Sequence, residues 1–365
     1  MTADDETYNP RKTMELFGHE AAEKTLLDSW NSGRMPHAWL LTGSRGIGKA
    51  TLAYRTARFV LSQGAGQGDG LFGEAPLAAN SLNTDPAHPV CRQIIASGHP
   101  DMLTIERSIN PNTKKLRSEI VIDDVKRLSS FLSLTTSTGE WRVVIVDAAD
   151  EMNRNAANAL LKGLEEPPAR TLFLLVSHAP GRLLPTIRSR CRILNLSPLP
   201  EDTVVELLAR SAPDLPAEDA HALARLAEGS IGEALVLAKA GGLELYREMV
   251  GLFAQLGRLD IKAVHGLGSR MGRAGAEESF RTLAGLVDRW LAGMLLNQAR
   301  GTAALEIVNG ESETAQRLWA RGGLANWLEV WEKVTRLFSQ ADRANLDRKQ
   351  VVISAFIMLE AAARG

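Results

Sequence analysis

The segment Gly43-Ser44-Arg45-Gly46-Ile47-Gly48-Lys49 follows a five-residue run, Ala38–Thr42, that is mostly apolar. No other feature constrains the fold as strongly. Five residues suit a strand better than a buried helix, the glycines supply a tight turn, and Leu52, Ala53, Ala57, Val60 and Leu61 then recur at helical spacing. A strand, a glycine turn and a helix in that order are the setting of a phosphate-binding P-loop. Backbone N–H groups turn toward an anion, the helix N-terminus adds partial positive charge, and Lys49 reaches the outer phosphates. The alternative is a glycine-rich turn with a surface lysine.

Further strand-like runs at 102–105, 141–146 and 172–177 alternate with helical stretches such as 49–61 and 155–166, the latter stopped by Pro167-Pro168. Such alternation over two hundred residues predicts an α/β domain with a parallel sheet covered by helices. The interval 62–89 carries Gly64, Gly66, Gly68, Gly70 and Gly73 and reads as an excursion from the sheet. After Ser197-Pro198-Leu199-Pro200 the β-rich runs cease, and Val204, Leu207, Leu208, Leu223 and Leu226 follow a helical period. Gly241-Gly242 closes that small helical segment. Longer helices at 276–300 and 324–339 follow, with Trp290, Trp319, Trp327 and Trp331 expected in core or interface. The expected division is therefore 1–197, 198–242 and 243–365.

A nucleotide-hydrolysing site has a second half, an apolar strand ending in acids, and Val143-Val144-Ile145-Val146-Asp147 supplies the strand. Asp147 is placed to orient a metal through water, but Ala148 stands where a hydrolytic glutamate would activate water. Asp150 and Glu151 follow, and are expected in a loop or capping the next helix. The residue after Lys49 is Ala50 rather than a metal-holding Ser or Thr, and Thr51, about 100° further round the helix, is expected to point away from a metal. Downstream, Arg188, Arg190 and Arg192 are spaced by two. If extended, they share one face suited to phosphate or carboxylate; the alternative is a solvated basic edge.

Composition excludes several classes. Hydrophobic residues make up 45% and charged residues 23%, which argues for a folded globular chain. A net charge of -1 gives no bulk reason for tight solitary binding to DNA or to anionic membrane. Two cysteines, Cys91 and Cys191, are too few for a disulfide framework or a four-thiolate zinc site, and point to a reducing, cytoplasmic setting. The acidic start shows no readable secretory or transit signal, and the longest apolar run, 172–176, is far short of the ~20 residues of a membrane span. One prominent strand-borne carboxylate also excludes two-metal polymerase chemistry.

An ordered set of motifs then carries a resemblance: Arg34-Met35-Pro36-His37-Ala38, the P-loop, Gly98-His99-Pro100-Asp101, the Asp147 strand, Ala159-Leu160-Leu161-Lys162-Gly163-Leu164-Glu165-Glu166-Pro167-Pro168, and Ser189-Arg190-Cys191. Together they resemble the clamp-loader subunits of bacterial DNA polymerase III, most closely the delta-prime branch, clearly over about residues 14–197 and more weakly beyond. The resemblance implies a RecA-like AAA+ domain, a small helical lid and an all-α collar that assembles a five-membered ring with tau/gamma and delta subunits. Through that ring the chain would act on a sliding clamp and primed DNA, with no membrane contact.

Arg190 would be an arginine finger inserted in trans into a neighbour's ATP site, and Ser177 matches the sensor-1 region. Gly43, Gly46, Gly48, Lys49, Thr51, Asp147 and Ser177 would form a degenerate nucleotide site. Gly229-Ser230-Ile231-Gly232 stands where active relatives carry a Gly-Ser-x-Arg sensor, so Ala50, Ala148 and Gly232 remove three stations of hydrolysis. Relatives also carry a four-cysteine zinc module in the interval where this chain has Cys91, His88 and His99, so no zinc is expected. No cofactor is required; ATP or ADP held without turnover, and an active tau/gamma-like ATPase, stay open as alternatives.

Overall fold

The computed structural model describes residues 9–64, 78–137, 141–302, 306–344 and 346–364. The chain divides into two compact units, Met1–Val204 with Gly229–Gly232, and Val205–Glu228 with Glu233–Gly365. Residues 65–77 of the interval expected as an excursion, including Gly66, Gly68, Gly70 and Gly73, lie outside the described residues.

The first unit is an α/β layer structure. Helix α1 (Glu20–Asn31) precedes β1 (Ala38–Thr42), and the glycine turn feeds α2 (Lys49–Gly64). Then come α3 (Pro89–Ile95), β2 (Met102–Glu106), α4 (Ile122–Val125), α5 (Arg127–Ser133), β3 (Arg142–Asp147), α6 (Arg154–Glu165), β4 (Thr171–Ser177), α7 (Pro185–Arg188) and β5 (Arg192–Asn195). The five strands are parallel in the order β2-β3-β4-β1-β5. Strand β4 thus stands between the P-loop strand and the acidic strand, the RecA-like arrangement.

Both faces of this sheet are covered, which is why its central strands read as nearly continuous apolar runs. Trp39, Leu41, Val143, Ile145, Leu172, Leu174 and Val176 pack on one side with Leu26 of α1, Leu52 and Phe59 of α2, and Ile94 of α3. Leu40, Val144, Val146, Phe173 and Leu175 pack on the other with Val125, Leu128, Leu160, Leu164 and Ile187 of α4 to α7. Successive residues alternate between the two cores, as the pleat requires.

The sequence reading overlooks β5. It is an edge strand paired with β1, with a single buried residue, Leu194, so no apolar run announces it. Its presence overturns the extended arginine row. Pro185 begins the short helix α7, Arg188 ends it, Arg190 lies in the following turn, and Arg192 opens β5 with its guanidinium 5.0 Å from the Trp39 ring centroid. The three side chains have separate surroundings.

The remaining helices are α8 (Glu201–Ser211), α9 (Ala217–Leu226), α10 (Ile231–Lys239), α11 (Gly242–Ala254), α12 (Ile261–Met271), α13 (Glu277–Arg300), α14 (Glu311–Ala344) and α15 (Arg348–Arg364). All but the start of α8 and of α10 belong to the second unit. Gly323, at φ 66° and ψ 175°, interrupts α14. Aromatic contacts join the second unit's long helices: Phe253 lies 4.7 Å from Trp290 and 5.8 Å from Phe356, and Phe280 lies 5.5 Å from Phe338. Trp327 is fully buried and donates its indole N–H to the Leu318 carbonyl at 2.8 Å. Trp331 donates to Asp288 at 2.8 Å, and Trp319 is half-buried. Among the described residues no helix is long and apolar enough to cross a membrane.

Candidate nucleotide site and surface arginine

The glycines of the turn between β1 and α2 adopt backbone that other residues rarely reach, with φ of 139° at Gly43, 75° at Gly46 and 110° at Gly48. A Cβ on Gly43 would sit 2.4 Å from the Leu196 carbonyl oxygen. Lys49, the first residue of α2, is 2% exposed and donates its ammonium to the carbonyls of Gly43, at 2.7 Å, and Ser44. Burial lowers its pKa to about 8 against the opposing attraction of Asp147 and Asp150. The Ile47 carbonyl lies 2.6 Å from His19 Nε2.

The Gly46 carbonyl accepts the Gly232 N–H at 2.9 Å, and a Cβ on Gly232 would approach Gly46 Cα to 2.9 Å. This cradle therefore has its lysine and the carbonyls of Gly43, Ser44, Gly46 and Ile47 engaged by the chain itself.

The acidic half gathers at the C-terminal ends of the strands. Asp147 ends β3, opposite Glu106 of β2 in register, and Ser177 ends β4 opposite Thr42. Burial, then the charges of Glu106 and Glu151, raise the Asp147 pKa to about 6, with Lys49 and Arg45 opposing. Ala148 is buried behind it.

Asp150 and Glu151 lie in a 3-10 turn, Ala149–Glu151, and Asn153 rather than either acid caps α6, accepting the Ala156 N–H at 3.0 Å. Asp150 accepts the His178 N–H at 2.8 Å; although burial opposes its ionisation, that bond and the nearby Ser177 hydroxyl hold its carboxyl below the ordinary carboxylate range. Glu151 pairs with Arg107 at 2.8 Å. Burial and then the charge of Lys49 push the His178 pKa down to about 4.

The structure thus brings Gly43, Gly46, Gly48, Lys49, Asp147 and Ser177 to one end of the sheet. Thr51 sits half-buried on α2, and Ala50 packs against the core beside it. The glycine cradle suits an anion, but with Ala50 and Ala148 the residues do not fit a metal-bound nucleotide undergoing turnover. Sequence reasoning misses His178, Arg45 and Glu106, although polar residues just beyond predicted strands were the available signal for His178 and Glu106.

His88 and His99 have local roles. His88 accepts the Val90 N–H at 3.3 Å and caps α3, and His99 accepts the Asp101 N–H at 3.2 Å. Cys91 is buried and Cys191 half-buried, both as free thiols.

Arg190 stands apart from this cluster in the chain. Its backbone is fixed in the turn after α7, where its N–H meets the Ile187 carbonyl at 3.1 Å. The guanidinium donates to the Thr186 carbonyl at 3.0 Å and pairs with Glu165 at 2.9 Å, and 35% of the side chain stays exposed.

The DNA polymerase III, delta subunit family matches residues 18–200, half of the chain. The Pseudomonas aeruginosa DNA polymerase III subunit delta' is 40% identical over 195 residues, 53% of each chain. The Escherichia coli subunit delta' is 35% identical over 58% of this chain and 57% of its own. The Haemophilus influenzae subunit tau/gamma is 27% identical over 63% of this chain and 31% of its own. The chain therefore spans about half the length of the delta' relatives it matches. Among solved structures, a gamma subunit-related protein of Thermotoga maritima aligns over 93% of this chain with a TM-score of 0.38 and 18% identity. On the match over residues 18–200, the chain belongs to the DNA polymerase III delta subunit family.

Proposed function

We propose that the chain is a non-hydrolysing, delta-prime-type subunit of a cytoplasmic DNA polymerase III clamp loader. In this reading it joins tau/gamma and delta subunits in a ring, supports ATP-dependent loading of a sliding clamp onto primed DNA, and supplies Arg190 in trans to a neighbour's ATP site. The observation that carries the reading is the state of the acids. Buried Ala148 stands where a glutamate would follow Asp147, and the two acids next in the chain are engaged, Asp150 by the His178 backbone N–H and Glu151 by Arg107, so neither takes that glutamate's place in activating water. The engaged Lys49 ammonium and the Gly232–Gly46 contact agree with this, and Ala50 offers no hydroxyl to a metal. The part-exposed guanidinium of Arg190 supports the trans role, since a finger neutralises charge developing on a transferred phosphoryl group. The chain requires neither a nucleotide of its own nor zinc.

The test is ATP binding and hydrolysis by the purified chain, with Lys49→Ala as control. No turnover is expected. Turnover that Lys49→Ala abolishes would replace this reading with that of an autonomous tau/gamma-like ATPase.

A further inference from the structure

Arg190 is clasped rather than loose. Its head is gripped from two sides, by the Glu165 carboxylate at 2.9 Å and by the Thr186 carbonyl at 3.0 Å. A guanidinium has five N–H donors in a rigid plane, so two held by the chain fix the orientation of the other three. The two anchors belong to firm elements. Thr186 lies in α7, pinned by fully buried Ile187. Glu165 is the last residue of α6, whose Leu160 and Leu164 are buried and whose Gly163 would bring a Cβ to 3.0 Å from Leu132.

The placement of Glu165 is itself informative. The end of a helix carries partial negative charge, and a carboxylate there is at the unfavourable pole. Pro167-Pro168 stops α6 just past it, so Glu165 occupies this pole and Arg190 neutralises it.

From these contacts we infer that Glu165 is a positioning residue for Arg190, holding the guanidinium in the orientation in which it meets the phosphate charge of an adjacent subunit. The inference rests on the reading of Arg190 as a trans-acting finger. Glu165 touches no reacting atom in this scheme; it acts by removing the rotamer freedom that a long side chain must otherwise lose when it engages.

The experiment is a double-mutant cycle in the assembled complex, with hydrolysis confined to the adjacent subunit by disabling the P-loop lysines of the others. Arg190→Ala is expected to cause the large loss in kcat. Glu165→Ala is expected to lower kcat by ~2–10-fold with KM for ATP unchanged, the equivalent of one side chain's ordering cost. Glu165→Gln, which keeps a hydrogen-bond acceptor, is expected to recover most of that loss. In the Arg190→Ala background Glu165→Ala is expected to add nothing.

Glu165 is half exposed, so its variants should fold, and assembly with melting of the free chain checks this. Full activity of Glu165→Ala while Arg190→Ala is slow would overturn the positioning role alone. So would an equal loss in both backgrounds, or a faster Glu165→Ala. An unchanged rate for Arg190→Ala would refute the finger reading itself, and the inference with it.

Discussion

Placing a methyl group on Gly232 tests the closest backbone approach in the candidate site. Gly232→Ala would put Cβ 2.9 Å from Gly46 Cα and 3.3 Å from the Gly46 carbonyl oxygen, both backbone atoms of a loop whose glycine conformations are already demanding. Backbone cannot swing aside as a side-chain tip can, so the loop and the start of α10 must separate. Overpacking of this kind costs ~1–3 kcal/mol, and the Gly232 N–H to Gly46 carbonyl bond, now 2.9 Å, would lengthen as they part. Taking about 2 kcal/mol, the melting midpoint of a unit this size falls by ~4–8 °C. If the strain is relieved locally, the amide at 232 exchanges with solvent about 30-fold faster instead. Calorimetry and hydrogen exchange on the purified chain read both. Gly181→Ala is the control, because nothing lies within 4 Å of its added Cβ, and it is expected to melt within ~0.5 kcal/mol of the parent. An unchanged midpoint together with an amide at 232 protected as before would refute the argument.

Two further outcomes follow from titration and propensity. Asp147 has its pKa raised from 3.8 to about 6, so the fold holds its proton more tightly than the unfolded chain, and its contribution to stability is lost as pH rises from about 4 to 6. His178, lowered from 6.5 to about 4, acts oppositely over the same window, so unfolding free energy against pH should rise more steeply in Asp147→Asn and more gently in His178→Gln. Gly251 lies exposed in α11 with nothing within 4 Å of an added Cβ, so Gly251→Ala should raise stability by ~0.5–1 kcal/mol in denaturant unfolding.

The legible parts of the fold have identifiable physical causes. Strands β1, β3 and β4 are found within a residue or two because burial on both faces makes each an apolar run, the edge strand β2 because Met102, Leu103 and Ile105 still form a short apolar run although only Ile105 is buried, and α6 because Pro167-Pro168 ends it. Strand β5 shows one buried residue and no run, so the sequence leaves open whether the arginines around it form an extended row or a solvated basic edge. The glycine turn after β1 and Asp147 at the end of β3 are legible from residue type and position, and Ser177 at the end of β4 through the family resemblance. The pairing of Asp150 with His178, and of Arg190 with Glu165, is not, because strand register and the seating of α6 against α7 bring those partners together across 28 and 25 positions of sequence.

The two-sided burial of the sheet has a consequence for how the strands find their alignment. Where one face is wet, a one-residue slip moves apolar side chains into water and is forbidden by hydrophobicity alone. Here a slipped β3 would exchange Val143 and Ile145 with Val144 and Val146 between two apolar layers, a trade between similar side chains. What resists it lies at the strand ends. Sliding β3 back toward its N-terminal end by one would draw Asp147 into the apolar layer, and sliding β1 would part the Thr42 hydroxyl from Asn195. The polar residues that line the candidate site thus also serve as alignment stops, and variants made to probe chemistry there should be checked for correct strand pairing as well.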